Sequence, residues 1–548
     1  MVSRSYTAEE VLAMLNVDVD SDDEDFEEVA MSLVEEYEDV EDEIQQSKIV
    51  FLTFANICLS NSFTGTTTSI DGTTWRADYR SSQTRARNII RQRPGAKQFI
   101  LNRVDTYSDI FFELLGQNTL DIIVEKTVQE AERQGNKDFL LSRQEMVAFL
   151  GLCLIRGVIK GRDEPLPSFW EENYGRAIFR QTMSRNKFQE IMRYIRFDSK
   201  NTRRERRETD RFAAIRDVWY TVMTNLQRCY YPHENVTVDE QLFPCRSRCG
   251  FIQYMPQKPG KFGIKFWMLC DAETSYVLFA DPYVGRQERG ELGLSEHVVT
   301  KLLEPYHNSG LNVTTDNFFT SLRLAKRLLD KNITLVGTVR SNRREIPPQI
   351  KMEIRNVPLY ESQFAFTENE GIMMTSYKSK RNKIVYLLSS CHNSAVVDEN
   401  SEKRCPEVVL YYNKTKGGVD NADEMLRGYS TKAASRRWPL AVFFNLLDIV
   451  ALDAYVIAQD IGGSLQTARR KFLLQLGEVL CASEITRRSS LQQNLSLSAT
   501  NSVSHSTLPN NKRTTCRICQ SNKTRTLCCK CGKFVCGSCS KSVCSNCV

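Results

Sequence analysis

Three aspartates carry the densest chemical information in this sequence of 548 residues. Asp239 lies in NVTVDEQLF, where a β-branched run ends on an acid. Asp316 lies in LNVTTDNFFTS, a second such run that stops on an acid just before a helical pattern. Asp420 lies in NKTKGGVDNADEM, with Asp423 three residues further on. A carboxylate at the end of a buried strand is costly unless something cationic sits beside it. Three such acids brought together would repel one another, and a divalent metal relieves that repulsion. Two hard cations about 3.5–4 Å apart are what phosphoryl transfer uses to activate an attacking oxygen and stabilise a leaving one. Taken singly, each acid could instead be a turn former or a helix N-cap. The surrounding residues have to decide.

The cysteines form a second set. Of 18 in the chain, nine fall between Cys516 and Cys547. Eight of them are paired as Cys516/Cys519, Cys528/Cys531, Cys536/Cys539 and Cys544/Cys547, with Cys529 left over. Four CxxC pairs this close read as two structural Zn²⁺ ions in tetrahedral thiolate sites. A cross-brace would join the first pair to the third and the second to the fourth; joining successive pairs is the alternative. So short a module has little core, and metal must supply its folding energy. Residues 512–548 carry eight Lys/Arg and no acid. Two Zn(Cys)₄ centres at −2 each would leave about +4, a charge suited to DNA. The nine scattered cysteines read as small buried hydrophobes.

A chain of this length is expected to form several domains. Its 41% hydrophobic and 26% charged content is ordinary for a globular protein. MVSRSYTAEE has no apolar signal core, and no run of 18 apolar residues occurs, so an intracellular protein without a membrane span is expected. The net charge of +6 hides an asymmetry: residues 1–47 hold 17 acids and one Arg, leaving 72 Lys/Arg against 50 acids in the rest. A body that basic behind an acidic arm suits a polyanionic partner.

The elements that must position the acids follow from periodicity. Helical patterns dominate from about 86 to 232, as in SDIFFELLGQNTLDIIVEKTVQEAERQG and DRFAAIRDVWYTVMTNLQRCYY. From 235 the period shortens: NVTVDEQLF, GIKFWMLCD, SYVLFADPYVG, LNVTTDNFF and ITLVGTVRS read as strands, with helices at SEHVVTKLLEPY and SLRLAKRLLDKN. A β-rich insertion follows, and the main sheet is expected to resume with EVVLYYNKTKGG before a helix that carries Asp420 and Asp423 on one face. PLAVFFNLLDIVALDAYVIAQD and QTARRKFLLQLGEVL return to helix.

The organisation expected is a multidomain α/β protein. Residues 1–85 form an acidic disordered arm and extended segment, and 86–233 and 430–485 a split helical domain. A catalytic α/β domain spans 234–346 and 406–429, interrupted by the insertion over 347–405. A flexible linker covers 486–513, rich in Ser, Asn and Gln, and the zinc module 514–548. Two aspartates on strands and a third on a neighbouring helix follow the logic of an RNase H-like core.

At this point a resemblance becomes specific. VDEQLFPCRSRCGFIQYMPQKPGKFGIKFWMLCD, TTDNFFTS, GTVRSNRREIP, YYNKTKGGVDNADEM and SRRWPLAVFFN resemble the piggyBac family of DNA transposases, in family order from about residue 90 to the C-terminus. The resemblance implies that Asp239, Asp316 and Asp420 form the catalytic triad, with Asp423 the nearby fourth acid, on two Mg²⁺ or Mn²⁺ ions. It implies nicking of transposon ends, hairpin formation and reopening, then joining of 3′-hydroxyls to TTAA targets. It also implies a nuclear homodimer on double-stranded DNA, needing no small-molecule cofactor, in which the cysteine-rich domain reads the terminal repeats. The family commonly has a His among the zinc ligands, and this tail has none.

DNA contacts are expected from Lys258, Lys261 and Lys265, from Arg340, Arg343 and Arg344, and from Arg436 and Arg437. Trp438 either stacks on an unpaired base or begins a core helix. A relative that binds DNA or chromatin without cutting it is the alternative function.

Overall fold

The computed structural model describes residues 65–78, 90, 92–285, 293–398, 401–501, 514–524 and 533–539. The acidic arm over 1–47 and Cys528, Cys531, Cys544 and Cys547 lie outside the described residues. The chain divides into two units, 1–486 and 487–548.

The strands of the first unit begin with β1 (Thr66–Thr68) and β2 (Thr74–Arg76), followed by a short separate pair, β3 (Gly95–Ala96) and β4 (Tyr230–Tyr231). Then come β5 (Asn235–Pro244), β6 (Ile252–Tyr254), β7 (Phe262–Asp271), β8 (Val277–Pro282), β9 (Asn312–Thr315) and β10 (Thr334–Val339). The last three are β11 (Ser362–Thr367), β12 (Met373–Lys380) and β13 (Lys383–Ser389). Apart from β3 and β4 they form one sheet in the order β1-β2-β11-β12-β13-β10-β9-β5-β7-β6, with β8 also paired to β7.

The centre of the sheet follows from its residues. β5, β7 and β8 form an antiparallel meander, and β9 lies parallel to both β5 and β10. All four residues of β9 are buried, as expected of a parallel strand covered on both faces. Parallel neighbours need crossovers, and the helices Leu294–Leu303 and Leu322–Leu329 supply them. The second helix starts at Ser321, whose hydroxyl accepts from the Leu324 amide at 3.1 Å. This mixed α/β order is the RNase H-like arrangement that the sequence predicts.

Three expectations change. Residues 347–405 do not stand apart from the main sheet; β13 pairs antiparallel with β10, so the β-rich segment extends it. Its far edge receives β1 and β2, through Phe366 opposite Arg76 and Thr367 opposite Trp75, which gives part of the expected N-terminal extended segment a place in the sheet. EVVLYYNKTKGG is not a strand. Glu407–Thr415 is a helix whose Val408, Val409 and Thr415 are buried, a helical spacing that apolar content alone conceals.

Helices cover the sheet. Thr106 and Ser142 open Tyr107–Leu115 and Arg143–Val158 with capping boxes closed by Asp109 and Glu145. Trp438–Ile461 is long and apolar enough to cross a bilayer, but 94% of its apolar window is buried inside the protein, so it is a core helix. One continuous apolar cluster includes residues of this helix, of Arg216–Cys229 and of the sheet. The last helix runs from Arg469 to Asn501, well into the segment expected to be a linker. No Gly or Pro occurs between Gly477 and Pro509 to stop it.

The second unit has a two-stranded ribbon, β14 (Thr514–Thr515) and β15 (Lys523–Thr524).

Candidate active site

Asp239 sits on β5, opposite Met268 of β7. Asp316 follows directly on β9, and its Oδ1 accepts from the Phe318 amide at 2.9 Å. The register of the parallel pair sets Asn235 beside Asn312 and Thr237 beside Thr314. Because alternate residues share a face, the next rung on that face places Asp239 beside Asp316. Asp420 stands exposed in the first turn of the helix Gly418–Gly428, where an acid complements the helix dipole. Tyr412 lies within electrostatic reach of all three. Burial raises its phenol pKa, and the charges of Asp316, Asp239 and Asp420 all add to the rise.

The electrostatics are strained. Asp239 is pushed up to about 8, first by burial and then by the charges of Glu240 and Asp316, with Lys258 working against them. Burial and Glu240 likewise raise Asp316, opposed by the Phe318 amide and Arg340. Asp423 is buried and raised despite a 3.0 Å hydrogen bond from Gln241 Nε2 and an ion pair with Arg427. Three carboxylates wholly or partly withdrawn from water, with exposed Asp420 beside them, are a hard oxygen donor set with uncompensated charge, and Mg²⁺ or Mn²⁺ fits them.

Sequence reasoning missed the groups that support this site. Gln241 is fully buried on β5, on the face that carries Asp239; it donates to Asp423 and accepts from Asn445 Nδ2 at 2.9 Å. Asn445 could have been noticed as a lone amide in the apolar run PLAVFFNLL. Glu240, next to Asp239, adds negative charge to both strand aspartates, and its Oε1 lies 3.8 Å from Lys258 Nζ.

The expected DNA contacts fall into three groups. Lys258 and Arg340 belong to the aspartate site: Lys258 Nζ donates to the Glu240 carbonyl at 3.3 Å, and Arg340 Nε to Asn317 Oδ1 at 3.3 Å. Lys261, Arg344 and Arg436 are exposed, and Arg343 is half-buried. The remaining three are engaged within the protein. Lys265 Nζ lies over Trp267 at 4.4 Å and Tyr283 at 4.6 Å. The Arg437 guanidinium donates to the carbonyls of Ile195, at 3.0 Å, and Met192, closing the end of the helix Arg185–Tyr194. Trp438 stacks on Phe212 at 5.6 Å and meets Phe251 edge-on at 5.1 Å, which is the core arrangement.

In the second unit, the ligand atoms of Cys516, Cys519, Cys536 and Cys539 lie within 4.8 Å of one another. Among the described residues no other His, Cys, Asp or Glu group closes to that spacing, the aspartates included. The first CxxC pair meets the third, as in a cross-brace. Cys519 and Cys536 are 3.6 Å apart at sulfur, close to the roughly 3.8 Å edge of a tetrahedron with Zn–S near 2.3 Å. The Cys536 amide donates to Cys516 Sγ at 3.3 Å, and hydrogen bonds lower the thiol pKa values of both Cys516 and Cys519. The four thiols fit Zn²⁺.

Residues 106–455 match the family described as Transposase IS4. The human PiggyBac transposable element-derived protein 2 is 24% identical over 442 residues, 75% of this chain and 72% of that protein. The human PiggyBac transposable element-derived protein 3 is 26% identical over 344 residues, and the match spans about half of its length, 54%. A solved piggyBac transposase, in a synaptic complex with hairpin DNA, superposes with a TM-score of 0.69 and 31% identity over 83% of this chain and all of that one.

Proposed function

This chain belongs to the piggyBac-type transposase family, and on that premise we propose that it is a cut-and-paste DNA transposase with Asp239, Asp316 and Asp420 as its catalytic acids. The observation that supports the reading most is the parallel register that carries Asp239 and Asp316 on adjacent strands, with the Asp420 helix Gly418–Gly428 tied to β5 by the Gln241–Asp423 hydrogen bond. Two Mg²⁺ or Mn²⁺ ions held by these acids, with Asp423 beside them, would supply activation of the attacking oxygen and charge compensation at the leaving one.

The proposed sequence is nicking at a transposon end, hairpin formation by the freed 3′-hydroxyl, hairpin reopening, and joining to TTAA. Every step is a displacement at phosphorus, so one acid set serves all of them. Lys258 and Arg340 are the cations placed to hold a phosphodiester beside the acids, with Lys261, Arg344 and Arg436 following the DNA outward. Two Zn²⁺ ions would fold the C-terminal module, bound by Cys516, Cys519, Cys536 and Cys539 and by Cys528, Cys531, Cys544 and Cys547. That module would read the terminal repeats. The protein would act in the nucleus as a homodimer.

A second reading is a domesticated DNA-binding descendant, favoured by the names of the human relatives, which are transposable element-derived proteins. Against it, all four acids are present. Strand cleavage separates the two. A duplex carrying the element's own end beside TTAA should be nicked and converted to a hairpin in Mg²⁺ by the wild type, and by none of Asp239→Ala, Asp316→Ala or Asp420→Ala, all of which should still bind DNA. Binding without cleavage by the wild type would establish the second reading instead.

A further inference from the structure

The strings NVTVD (235–239) and NVTTD (312–316) share four of five residues, and the sheet lays them side by side. Each contributes one rung of asparagine, one of threonine and one of aspartate on a single face. The threonine rung is where the third acid-bearing segment is fastened. Thr237 Oγ1 donates to the Thr415 carbonyl at 2.7 Å, and the hydroxyls of Thr314 and Thr415 are 2.7 Å apart. Thr415 Oγ1 gives its one proton to the Tyr411 carbonyl at 2.9 Å, so Thr314 must be the donor in that pair. Thr415 therefore accepts from both strands, once on its carbonyl and once on its hydroxyl. All three threonines are buried, with exposures of 2%, 0% and 3%.

Below them the asparagine rung repeats the arrangement. Asn235 Oδ1 accepts from Asn312 Nδ2 at 3.1 Å and from the Tyr411 hydroxyl at 2.5 Å. Thr415 lies five residues before Asp420, and Gly418, between them, passes so close to β5 that a Cβ there would stand 2.6 Å from Thr237 Oγ1.

Apolar side chains would fill these central strand positions at lower desolvation cost. Hydrogen bonds add what apolar packing lacks, a fixed distance and direction. We infer that Thr415 is a positioning residue: with Thr237 and Thr314 it forms a hydroxyl clasp that fixes the helix of Asp420 against the strands of Asp239 and Asp316. The inference rests on the transposase reading, since it gives the clasp its purpose. Buried as its three threonines are, the clasp acts through the aspartates rather than at the DNA surface.

The test uses the full chain and compares Thr415→Val, Thr415→Ser and Thr314→Val with the wild type. Mn²⁺ binding is followed by electron paramagnetic resonance, and cleavage, DNA affinity and thermal melting are measured beside it. Both valine variants should melt within a few degrees of the wild type and bind DNA equally. They should weaken Mn²⁺ binding and slow cleavage by about 10- to 100-fold, the range typical of groups that orient metal ligands. Thr415→Ser, which keeps the hydroxyl, should retain Mn²⁺ binding and cleavage close to the wild type.

Valine variants equal to the wild type would overturn the clasp and leave the transposase reading intact. A serine variant as impaired as the valine one would also overturn it, as would collapse of both valine variants in the melts. A wild type that neither binds Mn²⁺ nor cleaves DNA would overturn the transposase reading and the clasp together.

Discussion

Gln241 shows how much a single buried side chain does at this site. Its amide faces Asp423 on one side and Asn445 on the other, joining β5, the helix Gly418–Gly428 and the long core helix Trp438–Ile461. Gln241→Leu would leave Asp423 Oδ1 and the Asn445 amide without these partners. Unmade hydrogen bonds to buried polar and charged groups cost about 1–3 kcal/mol each, so the urea midpoint should fall by an amount corresponding to roughly 2–4 kcal/mol. Cleavage should fall more than tenfold, because Asp423 keeps only its ion pair with Arg427 while the three triad acids remain. The strand settings of Asp239 and Asp316 were legible in the sequence because each acid ends a β-branched run. Gln241 was not, since an amide two residues beyond a strand acid is unremarkable until its partner, 204 residues away, is known.

At the scale of elements, the turn between β7 and β8 is held by one buried acid. Asp271 accepts from the amides of Glu273, Thr274 and His233, and Oδ2 lies 3.0 Å from His233 Nδ1. That hydrogen bond raises the His233 pKa above its ordinary value, although burial opposes it. A raised folded-state pKa stabilises the protein fully below about 6.5, and the contribution is lost as pH rises through the folded value. Replacing His233 by Gln should therefore destabilise by about 1 kcal/mol at pH 6, with the gap to the wild type closing toward pH 9 in denaturant titrations. Element type was legible wherever the period was clean, as in β5, β7, β9 and both crossover helices. It failed at EVVLYYNKT, where a β-branched apolar run mimics a strand, and the helix shows only in the spacing of Val408, Val409 and Thr415. The joining of the segment after residue 347 to the main sheet depends on pairing between β13 and β10, a long-range register that composition does not encode.

The whole molecule consists of two units with different sources of stability. The first buries a continuous apolar core; in the second, the described residues around the four cysteines form only the short β14–β15 ribbon, beyond the end of the helix Arg469–Asn501. Stability of the second should then depend on metal. The purified protein is expected to hold two Zn²⁺ per chain by elemental analysis. A strong zinc chelator should abolish selective binding to the transposon end while leaving the main melting transition of the body unchanged. A single melt that falls as a whole on chelation would contradict this division.

In the proposed reaction the three acids work through a metal on the scissile phosphate. This is tested most directly by replacing a non-bridging oxygen of that phosphate with sulfur and comparing cleavage in Mg²⁺ and Mn²⁺. Mg²⁺ binds sulfur poorly and Mn²⁺ tolerates it, so cleavage should be lost in Mg²⁺ and restored in Mn²⁺ for one of the two sulfur diastereomers. Equal cleavage of both diastereomers in both metals, at the rate of the unmodified duplex, would contradict it.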